Sequence, residues 1–313
     1  MEILIVLEDN RGSIHRMSKE AIAGAQIMGG SVSALAIGTN AESLAAELSG
    51  ADLTEVITVN HDLVSSYNAD GYAEVVKQVV ETEGPKTIVA GHSYQTRDFM
   101  PRVSAKLDIP FIPDIISMDD GFVKQVLNAK LNASVTTGSD QMILSFQSAA
   151  FSEDNIVLGE CAPRSFDVDL DSSVVRSQSE EPFQETVGDV DLESADLIVS
   201  VGRGIEKEEN VPLAFELAEV LGAEVSASRP VVDSGWVDSF RQVGSSGQNV
   251  SPKLYFSLGI SGAIQHVVGM KGSKNIIAVN KDPDAPIFEL ADYAVVGDLL
   301  EIVPKLIEAL QTE

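Results

Sequence analysis

Short apolar, β-branched runs alternate with amphipathic stretches along the first half of the chain. Ile3 to Leu7, Ser31 to Ile37, Glu55 to Val59 and Thr87 to Ala90 read as strands. Helical stretches fall between them, near Arg16 to Met28, Ala41 to Leu48, Tyr72 to Glu83 and Asp98 to Leu107. Strand and helix in strict alternation predict a parallel sheet with right-handed crossovers. From Phe122 to Leu170 the texture turns β-rich, at residues 126–135, 142–146 and 166–170, and predicts an antiparallel addition to the same domain.

Residues 176–191 are polar, acidic and interrupted by Pro182 and Gly188, the composition of a linker. The alternation then restarts at Leu197 to Val201, with a helix near Val211 to Leu221 and strands at Glu224 to Ala227 and Leu254 to Leu258. A helix from Ser261, a strand at Ile276 to Asn280 and a last helix near Leu299 to Leu310 complete it. The expected fold is α/β with two parallel-sheet domains, residues 1–184 and 185–313. No fixed-period repeat is visible, which excludes a solenoid.

At 313 residues the chain has room for two such cores. Its apolar content of 44% comes with few aromatics, as expected for strands buried on both faces. No apolar run approaches the roughly 20 residues of a bilayer span, so no membrane insertion is expected. Forty-eight acidic against 21 basic side chains give a formal charge of −27, a surface that repels phosphate backbones and disfavours nucleic-acid binding. The single Cys161 excludes an internal disulfide and a cysteine-built metal site. A strand begins at the N-terminus with no basic leader, which reads as a cytoplasmic chain, or one already trimmed.

The chemistry-bearing residues gather at strand ends of the second half. Gly259-Ile-Ser-Gly-Ala-Ile-Gln-His266 follows a strand and opens a helix. Small residues there let backbone N–H groups and a helix dipole approach phosphate. Gly202-Arg203-Gly204 ends another strand, where open α/β sheets place ligands. It lacks the dinucleotide fingerprint, because Lys207 stands at the third glycine position and Glu206, Glu208 and Glu209 would repel a pyrophosphate.

Ser228 and Arg229 precede Pro230, which predicts an extended chain, and Arg229 reads equally as an anion clamp and as the partner of a carboxylate. The loop of Gln242, Val243, Gly244, Ser245 and Ser246 offers amides and hydroxyls, as a plain surface loop would. Asn280 reads as a ribose or phosphate ligand or as an Asx turn before Pro283, and Asp298 as a ribose ligand or an N-cap. Trp236 reads as a packing anchor. A lone helical His266 is more often packed than functional. No zinc-protease, α/β-hydrolase or P-loop signature occurs, so a cofactor-holding chain is expected in place of a substrate-transforming active site.

At these residues the chain resembles the alpha subunit of electron transfer flavoprotein. The resemblance rests on Ser228-Arg229, Gln242-Val-Gly244, Gly259 to His266, Asn280-Lys-Asp-Pro-Asp-Ala-Pro-Ile-Phe288 and Ala291-Asp-Tyr293. It is highly specific through residues 197–310 and looser in the first half, at Val89-Ala90 and Asp98 to Asp108.

The resemblance implies one FAD in a Rossmann-like C-terminal domain, and an N-terminal domain that docks a beta subunit in a heterodimer. It further implies an electron carrier between acyl-CoA or other dehydrogenases and a quinone oxidoreductase, as in fatty acid beta-oxidation. The compartment would be the cytoplasm, or the mitochondrial matrix where a leader has been removed.

Carried over residue by residue, Arg203, Ser228 and Arg229 would flank the flavin ring, and Gln242, Val243, Gly244, Ser245 and Ser246 would wrap it, with the Ser246 hydroxyl near N5. Ser261, Gly262, Ala263, Ile264, Gln265 and His266 would hold pyrophosphate, ribityl and pyrimidine edge, His266 near O2. Asn280, Asp298 and Leu299 would meet the AMP half. The family usually carries Gln at the position of Ser245, so one side-chain amide is lost here. Alternatives are a flavin-bifurcating complex, a non-redox nucleotide-binding module, and a pure interaction subunit.

Overall fold

The computed structural model describes residues 1–119, 121–127, 130–177, 190–192 and 195–311. The chain divides into two compact units, Met1–Pro182 and Phe183–Glu313. Of the expected linker, residues 178–189 lie outside the described residues.

In the first unit the strands are β1 (Ile3–Val6), a small antiparallel ribbon of β2 (Asp9–Asn10) and β3 (Ser13–Ile14), then β4 (Val32–Ile37), β5 (Val56–Val59), β6 (Thr87–Gly91), β7 (Phe111–Ser117), β8 (Phe122–Val126), β9 (Leu131–Val135), β10 (Met142–Phe146) and β11 (Pro163–Ser165). Four helices, α1 (Arg16–Met28), α2 (Ala41–Glu47), α3 (Ala69–Glu83) and α4 (Tyr94–Leu107), cover the nine-stranded sheet, whose order is β11-β5-β4-β1-β6-β10-β7-β8-β9. Every residue of β1 and β4 is buried, and their side chains divide between two cores. Ile3 and Ile5 pack with Ile22 of α1 and Leu44 of α2, while Leu4 and Val6 pack with Val76 of α3 and Phe99 of α4. A strand with apolar residues at successive positions is stable only between two such layers.

Two helices, α3 and α4, start earlier than the apolar pattern suggests, because caps set them. Asn68 Oδ1 accepts the Gly71 N–H at 2.7 Å and begins α3 at Ala69; Ser93 Oγ accepts the Thr96 N–H at 3.1 Å and begins α4 at Tyr94.

The β-rich stretch is corrected in two places. β8 and β9 do extend the sheet antiparallel from β7. β10, however, runs parallel between β6 and β7, its last four residues buried, so it is an interior strand of the main sheet. Residues 166–170 form no strand; β11, at 163–165, instead adds a parallel edge beside β5.

The second unit holds β12 (Leu197–Val201), β13 (Glu224–Ala227), β14 (Leu254–Leu258), β15 (Ile276–Asn280) and β16 (Tyr293–Val296), all parallel, in the order β13-β12-β14-β15-β16. Helices α5 (Pro212–Leu221) and α8 (Leu299–Gln311) pack on one face with Val199, Val201, Phe256, Leu258 and Val279. The loop after Ala227, the short helix α7 (Ile264–Val267) and the segment before β16 cover the other face, around Ile198, Tyr255 and Ala278. From β12 the chain moves outward to β13 and then returns past β12 to β14, so the winding reverses between these two neighbours. In an open α/β sheet the carboxyl ends of such a pair diverge and leave a crevice. Among the described residues no helix is long and apolar enough to cross a membrane.

Candidate functional site

A cavity of about 540 Å³ opens in the second unit at that reversal. Its floor is the backbone after β12 (Gly202, Arg203, Gly204) and after β14 (Gly259, Ile260, Ser261). Residues after β13, the loop at 243–246, and segments near Gln265 and Pro286 form its walls. Glycine is required where these backbones meet. A Cβ on Gly202 would strike the Gly259 carbonyl, and one on Gly262 would strike the Ile287 amide. Gly259 (φ 63°) and Gly262 (φ 86°) also sit in the left-handed region that side chains disfavour. After Gly259, the next backbone N–H to find a protein acceptor among the described residues is that of His266, on the Ala263 carbonyl at 2.8 Å. The small-residue turn therefore keeps its donors for a ligand, the property that binds phosphate.

Ser228 is the extended residue (φ −76°, ψ 153°), whereas Arg229 and Pro230 begin the short helix α6 (Arg229–Asp233). This corrects the expectation of an extended Arg229: proline's fixed φ suits a first helical turn, and its missing N–H costs nothing there. Arg229 is 66% exposed and reaches Asp233 at 3.4 Å, a surface pair one turn apart that leaves the guanidinium at the cavity mouth.

The loop at 242–250 is tied down at several points. Val243 donates to the Ala227 carbonyl (3.0 Å), Ser245 to that of Gln265 (2.7 Å) and Val250 to that of Gly269 (2.7 Å), while Gln242 Nε2 donates to Ser246 Oγ at 3.0 Å. Ser245 and Ser246 are exposed at the rim. Trp236 is partly buried against the α5/α8 core, as a packing anchor should be.

His266 is the third residue of the four-residue α7, earlier in its helix than the sequence suggests, and is buried. Its Nε2 lies 2.8 Å from the Tyr255 hydroxyl, and its buried Nδ1 makes no well-formed hydrogen bond among the described residues. Burial pushes the imidazole down to about 4, with the Val243 backbone pulling the other way. The ring is therefore neutral at pH 7, and one of its nitrogens still carries a proton to donate.

Of the residues singled out by sequence, Arg203, Ser228, Arg229, Val243, Gly244, Ser245, Ser246, Ser261, Ala263, Gln265, His266 and Asn280 line this one cavity. Gln242, Gly262, Ile264, Asp298 and Leu299 are not among its lining residues. Gln242 braces the loop from behind, Gly262 is pressed on Ile287, and Ile264 faces solvent at 49% exposure. Asp298 Oδ1 accepts the Leu300 N–H at 2.9 Å and its Oδ2 meets Lys281 Nζ at 3.1 Å, so it caps α8. The amide and Lys281 hold its carboxyl below the usual range. Leu299 is 2% exposed within the α5/α8 core. Asn280 Oδ1 accepts the Asp282 N–H at 3.0 Å, the Asx turn, while its Nδ2 braces the Ile260 carbonyl at 2.9 Å. The cavity is further lined by the turn glycines Gly202, Gly204 and Gly259, to which the sequence assigns no ligand contact, and by Pro230, Ile260, Asp282, Ala285 and Pro286, of which Ile260 and Ala285 carry no chemical signal of their own.

The donor set suits a dinucleotide with an aromatic head. Free turn amides suit a pyrophosphate, and the small, largely apolar walls suit a flat ring edged by hydroxyls and one arginine.

Two family models match the chain: one described as the electron transfer flavoprotein domain, over residues 3–166, and one as the electron transfer flavoprotein FAD-binding domain, over residues 191–271. The chain is 38% identical over 320 residues to the electron transfer flavoprotein subunit alpha of Bacillus subtilis, covering 98% of this chain and 96% of that one. It is 36% identical to the subunit of the same name from Thermoanaerobacterium thermosaccharolyticum, covering 99% and 98%. To the probable mitochondrial subunit alpha of Caenorhabditis elegans it is 36% identical, covering 98% and 93%.

Proposed function

The chain belongs to the electron transfer flavoprotein alpha-subunit family, and from that premise we propose how its cavity and its two units serve the role. The family gives FAD as the cofactor and electron transfer as the function. The alternatives raised by the sequence are not favoured by these matches. When bound, FAD supplies a ring that takes and releases electrons, and the protein supplies position and electrostatics.

In this reading the turn Ser261 to Gln265 holds the pyrophosphate with its spare amides, and Asn280 lies toward the AMP half. Arg203, Ser228 and Arg229 stand on one side of the ring, with Ser245 and Ser246 at its edge. His266 donates from a neutral imidazole. Arg229, the cation at the mouth, favours negative charge on a reduced ring. Asp298 acts through Lys281 and α8, and Gln242 through Ser246.

Residues 185–313 form the flavin domain, and residues 1–184 serve as a scaffold that docks a beta-type subunit. Dehydrogenases, including those of acyl-CoA substrates, give electrons, and a quinone oxidoreductase takes them. The setting is the cytoplasm, or the mitochondrial matrix in an organism that has one.

The observation that carries this reading is the position of the cavity. It sits at the reversal of a parallel sheet, with most of its lining residues, Arg229 and His266 among them, inside the segment matched by the FAD-binding model. Co-expression with a beta-type chain tests it. A stable pair should purify yellow with one FAD in this subunit and be reduced by an acyl-CoA dehydrogenase with its substrate. A pair that forms without flavin, or flavin that survives deletion of residues 185–313, would overturn the assignment.

A further inference from the structure

Tyr255, the largest fully buried side chain, does not line the cavity and belongs to no motif, yet its hydroxyl ends on His266, which does. The strand register explains why a phenol lies there. Tyr255 and Ser257 of β14 point to the same sheet face. Ser257 pairs with Ser200 of β12, and Ser200 with Ser226 of β13, so three hydroxyls cross three neighbouring strands in one row beneath the cavity. All three serines are 0% exposed, and none of their hydroxyls makes a well-formed hydrogen bond among the described residues. A row of apolar residues would fill the same face at lower cost, because a buried hydroxyl without a partner is penalised.

The polarity of the Tyr255–His266 bond follows from what each group has left. A neutral imidazole offers one acceptor nitrogen and one N–H. If the Tyr255 O–H donates to Nε2, the phenol proton is satisfied, and only the Nδ1 proton still seeks an acceptor. If Nε2–H donates to the phenol oxygen instead, the buried Nδ1 lone pair is left against the Val243 carbonyl, and the phenol O–H must turn to the Ser200 or Ser226 hydroxyl. A buried polar group left without a partner costs about 1–3 kcal/mol. The Val243 carbonyl acts in the same sense, since it favours a protonated ring nitrogen. Burial also pushes the Tyr255 phenol up, with the Ser200 and Ser226 hydroxyls pulling the other way, so the phenol keeps its proton and stays a donor.

We propose that Tyr255 is a positioning residue: its hydroxyl donates to His266 Nε2, fixing the imidazole as the Nδ1–H tautomer, a neutral donor on the cavity wall. The tautomer itself does not depend on the ligand. Its consequence for the flavin rests on the reading given above, in which His266 faces the bound FAD. A neutral donor favours negative charge nearby by a dipole, without placing a second cation beside Arg229.

The test uses the FAD-loaded chain with its beta-type partner, labelled with nitrogen-15 histidine. The chain has 4 histidines, and the His266 signals are assigned by their loss in His266→Gln. Across roughly pH 6 to 8 the wild type should show His266 neutral, with the proton on Nδ1 and Nε2 as an acceptor. Tyr255→Phe, which keeps the ring and removes the hydroxyl, should raise the Nε2–H population at least about threefold and move the flavin potential. Ser200→Ala should leave the tautomer as it is. A wild-type His266 that is doubly protonated or carries its proton on Nε2 would overturn the proposal, and that measurement stands even if the phenylalanine variant does not fold. An unchanged spectrum in a folded Tyr255→Phe would overturn it too. A chain that carries no FAD defeats the flavin reading, whatever its tautomer; a loaded chain with an Nε2–H histidine defeats this inference alone.

Discussion

Gly204 and Gly259 meet backbone to backbone: a Cβ on Gly204 would stand 2.6 Å from Gly259 Cα. Their contact joins the ends of β12 and β14 where the sheet reverses, and so sets the width of the cavity floor. Gly204→Ala forces these strand ends apart, at a cost on the order of 1–3 kcal/mol. Denaturant unfolding should show that loss, and equilibrium dialysis should show weaker FAD retention by the same variant.

Among the described residues Arg229 makes only a surface pair with Asp233, worth about 0–1 kcal/mol. Arg229→Ala should therefore leave the melting temperature nearly unchanged. It should nonetheless lower the flavin's first reduction potential by tens of millivolts, where about 59 mV corresponds to a tenfold change for one electron. A redox titration decides this, and an unchanged potential removes Arg229 from the electrostatics of the site.

Glu20 in α1 is buried, its Oε2 accepting the Ala149 N–H at 2.8 Å and its Oε1 facing Arg16 Nε at 3.1 Å. Desolvation nonetheless raises its carboxyl to about 7, above the ordinary 4.5. Below the ordinary value both folded and unfolded chains hold the proton, so Glu20 then costs nothing. Between 4.5 and about 7 the unfolded chain ionises first, and the cost grows, reaching its full value above 7. Glu20→Gln keeps the acceptor for Ala149 and should gain about 1–3 kcal/mol over wild type at alkaline pH and little at acid pH. Urea melts of both proteins across that range check the sign.

His266 titrates in the opposite sense. Its folded value of about 4 lies under the ordinary 6.5, so the unfolded chain takes up a proton first as pH falls. The contribution is fully present above 6.5 and drains away toward 4. His266→Gln should flatten that part of the stability curve, and a slope that survives the substitution assigns it to another group.

Much of the architecture was legible because apolar runs such as Ile3 to Val6 and Leu254 to Leu258 must be buried on both faces. The parallel alternation and the second sheet follow from that. β7 escaped notice because Pro113 and Asp114 interrupt it, and Asp114 takes a positive φ (66°) near the β7/β10 irregularity. β10 was misread because a five-residue run carries no record of its neighbours. Only the fold shows that it sits between β6 and β7.

At the site, Ser261, Ala263 and His266 could be read from the small-residue turn after β14. Gly202, Gly204 and Gly259 were visible as turn glycines, but their mutual contact is a matter of three dimensions. Ile260 and Ala285 line the cavity through placement alone, and Tyr255 was hidden because an aromatic residue in a buried strand reads as core.

The central claim is that the rim of the second sheet holds a flavin dinucleotide that exchanges electrons. Stepwise reduction of the purified pair, followed by absorption, tests it most directly. The account predicts a flavin band of one FAD in this subunit that bleaches on reduction and returns on reoxidation, and that is lost or shifted when Gly262→Val closes the turn onto Ile287. A colourless pair, or a flavin that stays oxidised with an electron-donating dehydrogenase and its substrate, would contradict it.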